Sequence, residues 1–200
     1  MKKLFMLLAL ALPVVFVSCN DDDEEEPQDI IMDHDYAAYV MVADGQLDYM
    51  NITAEITGTN GKVTSVDVAT QGTLVDKLPN DMQSRLKSLE AYNEFIKNDG
   101  VEPKIYKVYT ERGTSANITL QCKYEANADN FANMNSQPFI LWNGIGISDK
   151  DFISANYTCS TSGFNGNIYS STKIPWDKFQ DFCTRHSSEI YKTEFKYNVK

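Results

Sequence analysis

Residues 47–70, LDYMNITAEITGTNGKVTSVDVAT, set two alternating segments on either side of a Gly- and Asn-rich turn. Ile52, Ala54 and Ile56 alternate with Asn51, Thr53 and Glu55, and Val66 and Val68 alternate with Ser65 and Asp67. A period of two sends successive side chains to opposite faces of a strand, so each segment reads as a half-buried strand. Gly58-Thr59-Asn60-Gly61 between them supplies residues that tolerate positive φ. This is the best hairpin in the chain, and it predicts an antiparallel sheet with one face packed and one face wet.

Outward from the hairpin, 36–42 is an apolar, aromatic strand. Downstream, Pro79-Asn80-Asp81 opens a stripe of Met82, Leu86, Leu89, Tyr92 or Asn93, and Ile96 at steps of three and four. With a cap at Asn80 or Asp81 and a stop at Gly100, the spacing predicts one helix over 81–97. Strand signals resume at 104–110 and 116–125, where Ile118, Leu120, Cys122 and Tyr124 face one way, with Glu111-Arg112-Gly113-Thr114 as a second hairpin turn. Segment 127–137 is Asn-rich, a long loop or one irregular helical turn; 139–142, 153–159 and a Gly/Asn-broken 164–169 are further strand candidates. Pro175 suits the start of a short helix carrying Trp176, Phe179, Phe182 and Cys183. The final strand, 191–199, alternates Tyr191, Thr193, Phe195, Tyr197 and Val199 against Lys192, Glu194, Lys196 and Asn198. About eight strands with one long and one short helix predict an α+β fold, an antiparallel sheet covered by helices, with a β-sandwich carrying a helical insertion as the alternative.

The charge is distributed unevenly. The chain of 200 residues carries a formal net charge of −10, yet nine acids fall between Asn20 and Asp35, and 36–200 holds only −3. No basic footprint for nucleic acid exists, and two histidines, His34 and His186, exclude His-rich metal centres. The body, 36–200, is long enough for a single core and shows no linker, so it reads as one domain.

Ahead of the body, Lys2 and Lys3 precede fourteen uncharged residues, Leu4 to Val17. As a helix these span roughly 21 Å, short of the ~30 Å of a bilayer core, and read as a secretory leader over 1–18. Phe16-Val17-Ser18-Cys19 resembles a bacterial lipoprotein signal, with Phe16 where Leu is commonest. The run Asn20-Asp-Asp-Asp-Glu-Glu-Glu26 that follows is similar to the acidic export signal of Bacteroidetes surface lipoproteins. The resemblance implies acylation of Cys19, a tether over 19–35, and an outer-membrane anchor facing the cell exterior. An ordinary secretory peptide, and a spacer on a periplasm-facing lipoprotein, are the alternatives.

Local chemistry is sparse. Setting Cys19 aside leaves Cys122, Cys159 and Cys183, of which Cys122 and Cys159 are the pair chosen for a disulfide; three buried thiols are the alternative. Cys183 and His186 stand three apart on the short helix without a further partner for nucleophilic chemistry. The Asp44–Asp48 segment, Asn127–Asn130 and Ser148–Asp151 offer oxygen ligands without the spacing of a calcium loop, so no metal or other cofactor is expected. Among 11 Tyr, 10 Phe and 2 Trp, the residues Trp142, Asn143, Tyr157, Phe164 and Tyr169 lie in loop-like surroundings and are candidates for stacking on a sugar ring, while packing in the core or in cross-strand pairs is the usual place of aromatics in a β-rich domain. The sequence predicts a non-enzymatic, lipid-anchored envelope domain that binds a glycan, peptide or protein. A small hydrolase of extracellular polymer and a structural envelope component are the alternatives.

Overall fold

The inward positions of the hairpin decide where the core lies. The computed structural model describes residues 32–100, 103–127, 138–148, 157–159, 164–169, 176–187 and 191–199. In it β1 (His34–Ala43) is followed by β2 (Met50–Thr57), whose Ile52, Ala54 and Ile56 are buried while Asn51 is exposed. β2 pairs antiparallel with β3 (Val63–Asp67), Thr57 opposite Val63, in agreement with the alternation. Gly61 adopts φ +76°, a conformation that disfavours a Cβ, and donates its N–H to the Gly58 carbonyl at 2.9 Å.

The other strands are β4 (Thr73–Val75), β5 (Pro103–Gly113), β6 (Ala116–Ala126), β7 (Phe139–Ile147), β8 (Tyr157–Cys159), β9 (Phe164–Tyr169) and β10 (Lys192–Val199). Among the described residues eight strands have five residues or more, as the sequence leads one to expect, and β4 and β8 have three. They form two antiparallel five-stranded sheets, β4-β5-β1-β7-β9 and β3-β2-β6-β10-β8. With α1 (Val68–Gln71), α2 (Asn80–Lys87), α3 (Glu90–Asp99) and α4 (Trp176–His186), the fold is α+β.

The sheets share a core. Tyr36, Ala38, Val40 and Val42 of β1 and Leu141 and Ile145 of β7 meet Ile52, Ile56, Ile118, Leu120, Phe195 and Tyr197 of the second sheet. The opposite face of the first sheet, with Ala37, Tyr39, Met41, Ile140 and Trp142, packs under Leu78, Met82, Leu86 and Phe95 of the α2–α3 segment. β1 is therefore buried on both faces, which explains its unbroken apolar sequence. The outer face of the second sheet stays open and polar. Burying each large aliphatic or aromatic side chain contributes about 1.5–3 kcal/mol, so this three-layer arrangement of helices, covered sheet and open sheet holds most of its stabilisation around β1 and β7.

Three expectations are revised. The helix expected over 81–97 is two helices: Ser88 Oγ donates to the Arg85 carbonyl at 2.6 Å, Leu89 is extended (φ −80°, ψ 116°), and Asn93 Nδ2 donates to the Lys87 carbonyl at 2.8 Å. The break changes the buried face, putting Phe95 rather than Ile96 in the core. The turn at Glu111–Thr114 joins no hairpin, because β5 pairs with β1 and β4 and β6 with β2 and β10; the chain passes there from one sheet to the other. β1 begins at His34, so the last two residues assigned to the tether belong to the body.

Candidate functional site

β7 carries two of the residues expected to bind ligand, and both are interior. Trp142 is 2% exposed and packs beneath α2; its strand neighbours Gly144 and Gly146 leave room for Met82 to lie across them. Asn143 is fully buried on the other face. Its Nδ2 donates to the Tyr191 carbonyl at 2.8 Å, and its Oδ1 accepts from Thr193 Oγ1 at 2.6 Å. Trp142-Asn143-Gly144 is loop-like in sequence only: the pair joins layers, in line with core packing rather than a platform for a sugar.

The remaining three candidates are spread over two sheets. Tyr157 opens β8, and Phe164 and Tyr169 stand at the two ends of β9, opposite Gly144 and Phe139 of β7; their side chains lie outside the described residues. Cys19 and the acidic run lie outside them too, as do 128–137, 149–156 and Pro175.

The thiol expectations resolve by geometry. Cys159 is opposite Tyr197, which is opposite Ala116. Cys122 lies six residues farther along β6, roughly 20 Å at 3.3 Å per residue, whereas a disulfide needs Cα atoms within about 7 Å. The Cys122–Cys159 bridge is therefore excluded, and Cys122 is a buried free thiol, like Cys183. Burial pushes both thiols up to about 12, the reverse of what a nucleophilic cysteine requires. His186 is stacked on Phe182 with ring centroids 3.9 Å apart, and its Nδ1 meets the Phe182 carbonyl at 2.7 Å.

Carboxylates that make contacts are engaged in structure. Asp44 pairs with Lys104 at 2.5 Å, and the ammonium holds its carboxyl below the usual range; Glu55 pairs with Lys123 at 2.6 Å. Asp67 caps α1, its Oδ1 accepting from Thr70 N at 2.8 Å. Glu111 accepts from Thr59 N at 3.1 Å and Tyr109 OH at 2.8 Å, and also from Thr59 Oγ1. This ties the 58–61 turn to the end of β5, with Gly58 in a gap that a Cβ could not share with the Tyr109 hydroxyl. Among the described residues no three His, Cys, Asp or Glu side chains converge on a metal position.

Sequence reasoning missed two side chains that substitute for strand backbone. Gln46, within the Asp44–Asp48 turn, is fully buried; its Oε1 accepts from Ala43 N (2.8 Å) and Ile140 N (2.7 Å) while Nε2 donates to the Ile140 carbonyl at 2.9 Å. It takes over the pairing of β1 with β7 beyond Met41 and Trp142, opposite Ile140. Ser187 does the same for β6, its Oγ accepting from Tyr124 N at 2.8 Å and donating to the Tyr124 carbonyl at 2.9 Å. No periodicity marks such residues, since their partners lie 94 and 63 positions away.

On the outer face of β2, β6 and β10 the described side chains are polar and at least partly exposed. The cross-strand rows of this face read Thr57-Thr119-Glu194 and Glu55-Gln121-Lys192, with Thr53 beside Lys123 and Asn117 beside Lys196. Hydroxyls, amides and paired charges of this kind suit reversible hydrogen bonding to a polar partner. No family model, curated protein or solved structure matches the chain.

Proposed function

We propose that the chain is a lipid-anchored, non-enzymatic domain of the cell envelope, held at the outer membrane through acyl chains on Cys19, facing the exterior and binding a glycan, peptide or protein. The observation that carries this reading is Phe16-Val17-Ser18-Cys19, followed by nine acids before Tyr36 and then by a nearly balanced body. Each buried CH₂ of an acyl chain contributes about 0.8 kcal/mol, so several chains on Cys19 make a durable anchor where one is marginal. Among the described residues no helix is long and apolar enough to cross a membrane. For the partner, the burial of Trp142 and Asn143 takes away two of the five side chains proposed for sugar stacking. What favours a binding role is the open polar face of the second sheet.

Protease treatment of intact cells, set beside a Cys19→Ala variant, tests the reading. The expected result is loss of the domain from intact cells and release of the variant from membranes. Retention of the variant in the membrane fraction would refute the anchor, and protection from protease would refute exterior display.

A further inference from the structure

We infer that Asn60 is a modification site: the amide at the hairpin tip is lost to intramolecular attack by the Gly61 nitrogen, leaving aspartate or isoaspartate where the sequence encodes asparagine. The chain contains three Asn-Gly pairs, at 60–61, 143–144 and 165–166, alike in sequence and different in setting. Glycine matters at the second position because no Cβ hinders the approach of its nitrogen to the asparagine side-chain carbonyl. Closing the five-membered ring also requires the backbone to turn about ψ of the asparagine, one of the two soft dihedrals of that residue. A residue locked in a strand ladder cannot make that turn.

At 60–61 the hindrance is slight. Residues 59–63 are exposed, and the place a Gly61 Cβ would take is open space. Asn60 Oδ1 accepts from Lys62 N at 2.8 Å, which curls the side chain back over the Asn60–Gly61 peptide and polarises the carbon under attack. The Gly61 nitrogen donates to the Gly58 carbonyl at 2.9 Å, and this is the bond that freeing it must break. Thr59 N stays tied to Glu111 at 3.1 Å, so the flank of the turn is held while its tip reacts. The other two pairs are held on strands. Asn143 lies in β7 with Val40 of β1 on one side and Asn165 of β9 on the other. It is fully buried, and the leaving group Nδ2 is bound to the Tyr191 carbonyl at 2.8 Å. Gly166 of β9 lies opposite Trp142, so close to β7 that a Cβ there would strike its backbone.

The step balances without oxidant or cofactor. Solvent base takes the Gly61 N–H proton, the nitrogen bonds to Asn60 Cγ, the Cγ–Nδ2 bond breaks, and ammonia leaves with a proton from water. Water then opens the succinimide at Cγ to give aspartate, or at the main-chain carbonyl to give isoaspartate. Either product adds a negative charge next to Thr59, whose partner is the Glu111 carboxylate. Isoaspartate also inserts a methylene into the main chain between β2 and β3 and takes the side-chain acceptor away from Lys62 N. The tip thus carries a one-way mark of the protein's age that the two strand-bound pairs do not acquire.

The test incubates the full chain, native and in guanidinium, at the same mildly alkaline pH, and follows each Asn-Gly peptide by mass mapping. The peptide carrying Asn60 is expected to convert in the native protein within about tenfold of its rate in guanidinium, since one ordinary hydrogen bond opposes it, and to yield two isomers. Those carrying Asn143 and Asn165 are expected to convert at least about a hundredfold more slowly native than unfolded, because ring closure there waits on opening of the sheet. Asn60→Gln, whose larger ring closes more slowly, should remove the acidic form that native protein accumulates on isoelectric focusing; Asn60→Ser replaces it if glutamine disturbs the turn. Three results overturn the assignment: native conversion at Asn60 more than about tenfold below its unfolded rate, conversion of Asn143 in step with Asn60, or an acidic form that persists in the variant.

Discussion

Thr193 on β10 donates to Asn143 on β7 at 2.6 Å, a buried hydrogen bond that runs between the two sheets. The same amide donates to the Tyr191 carbonyl at 2.8 Å, so one side chain of the covered sheet holds two polar groups of the open-sheet side. In a low-dielectric interior such a node favours one relative setting of the layers, because every alternative strands a polar group.

Asn143→Ala is therefore expected to cost about 3 kcal/mol, combining the lost bonds with a small cavity, and Thr193→Val about 1–2 kcal/mol. The double variant should cost less than the sum, since the two share a bond. Urea midpoints at constant slope measure all three. A loss under about 1 kcal/mol for Asn143→Ala would mean that the node is dispensable.

Phe95 and Ile96 report on the break between α2 and α3. Phe95→Ala should cost about 3–5 kcal/mol as a buried aromatic, while Ile96, 37% exposed, should lose under about 1 kcal/mol when truncated. Thermal or urea unfolding of the two variants decides the point. The reverse ranking is what a continuous helix over 81–97 would give.

That pair also marks where the sequence stops being legible. β2, β3, β6 and β10 could be read directly because alternation is a local property of a half-buried strand, and Ile52, Ile118 and Phe195 face inward as expected. The helix break could not, because it depends on a Ser88 hydroxyl and on how Phe95 meets the covered sheet. Sheet membership was equally hidden: a Gly-containing turn looks the same whether it closes a hairpin or, as at Gly113, crosses between layers. Of the five candidate ligand residues, Trp142 and Asn143 take the core alternative: Asn-Gly signals a turn, but here the glycine admits Met82 and the asparagine finds a partner 50 positions away.

Gly166 separates two kinds of close approach. A Cβ there would meet the Trp142 Cα at 2.5 Å and also the Leu141 carbonyl, so β9 would have to move off β7. At Gly146 the obstruction is the Met82 sulfur at 2.6 Å, near the end of a flexible side chain. Gly166→Ala should thus destabilise by about 2–3 kcal/mol and Gly146→Ala by under about 1.5 kcal/mol. Unfolding midpoints compare them, and near-equal losses would contradict the backbone clash at Gly166.

The buried thiols set an alkaline limit on the fold. Cys122 and Cys183 are raised from about 9 to about 12 by burial, which penalises the thiolate in the folded state. A group whose folded pKa is raised contributes fully below its unfolded pKa and loses that contribution as pH climbs toward the folded value. Stability is therefore expected to be level with respect to these thiols up to about pH 8, then to fall by about 1.4 kcal/mol per pH unit for each thiol above about pH 9. Tyr39 and Tyr109, also pushed up to about 12 by burial, add to the fall at the upper end of the range. Urea midpoints from pH 7 to 11 measure the slope. Alkylation followed by peptide mapping gives the site-resolved counterpart: at pH 8 Cys122 and Cys183 should stay unmodified in the native protein and react fully in denaturant. Substituting Cys122→Ala should shallow the alkaline slope by about one thiol's share. An unchanged slope, or rapid native alkylation of Cys122, would show that the space between the sheets is open to water.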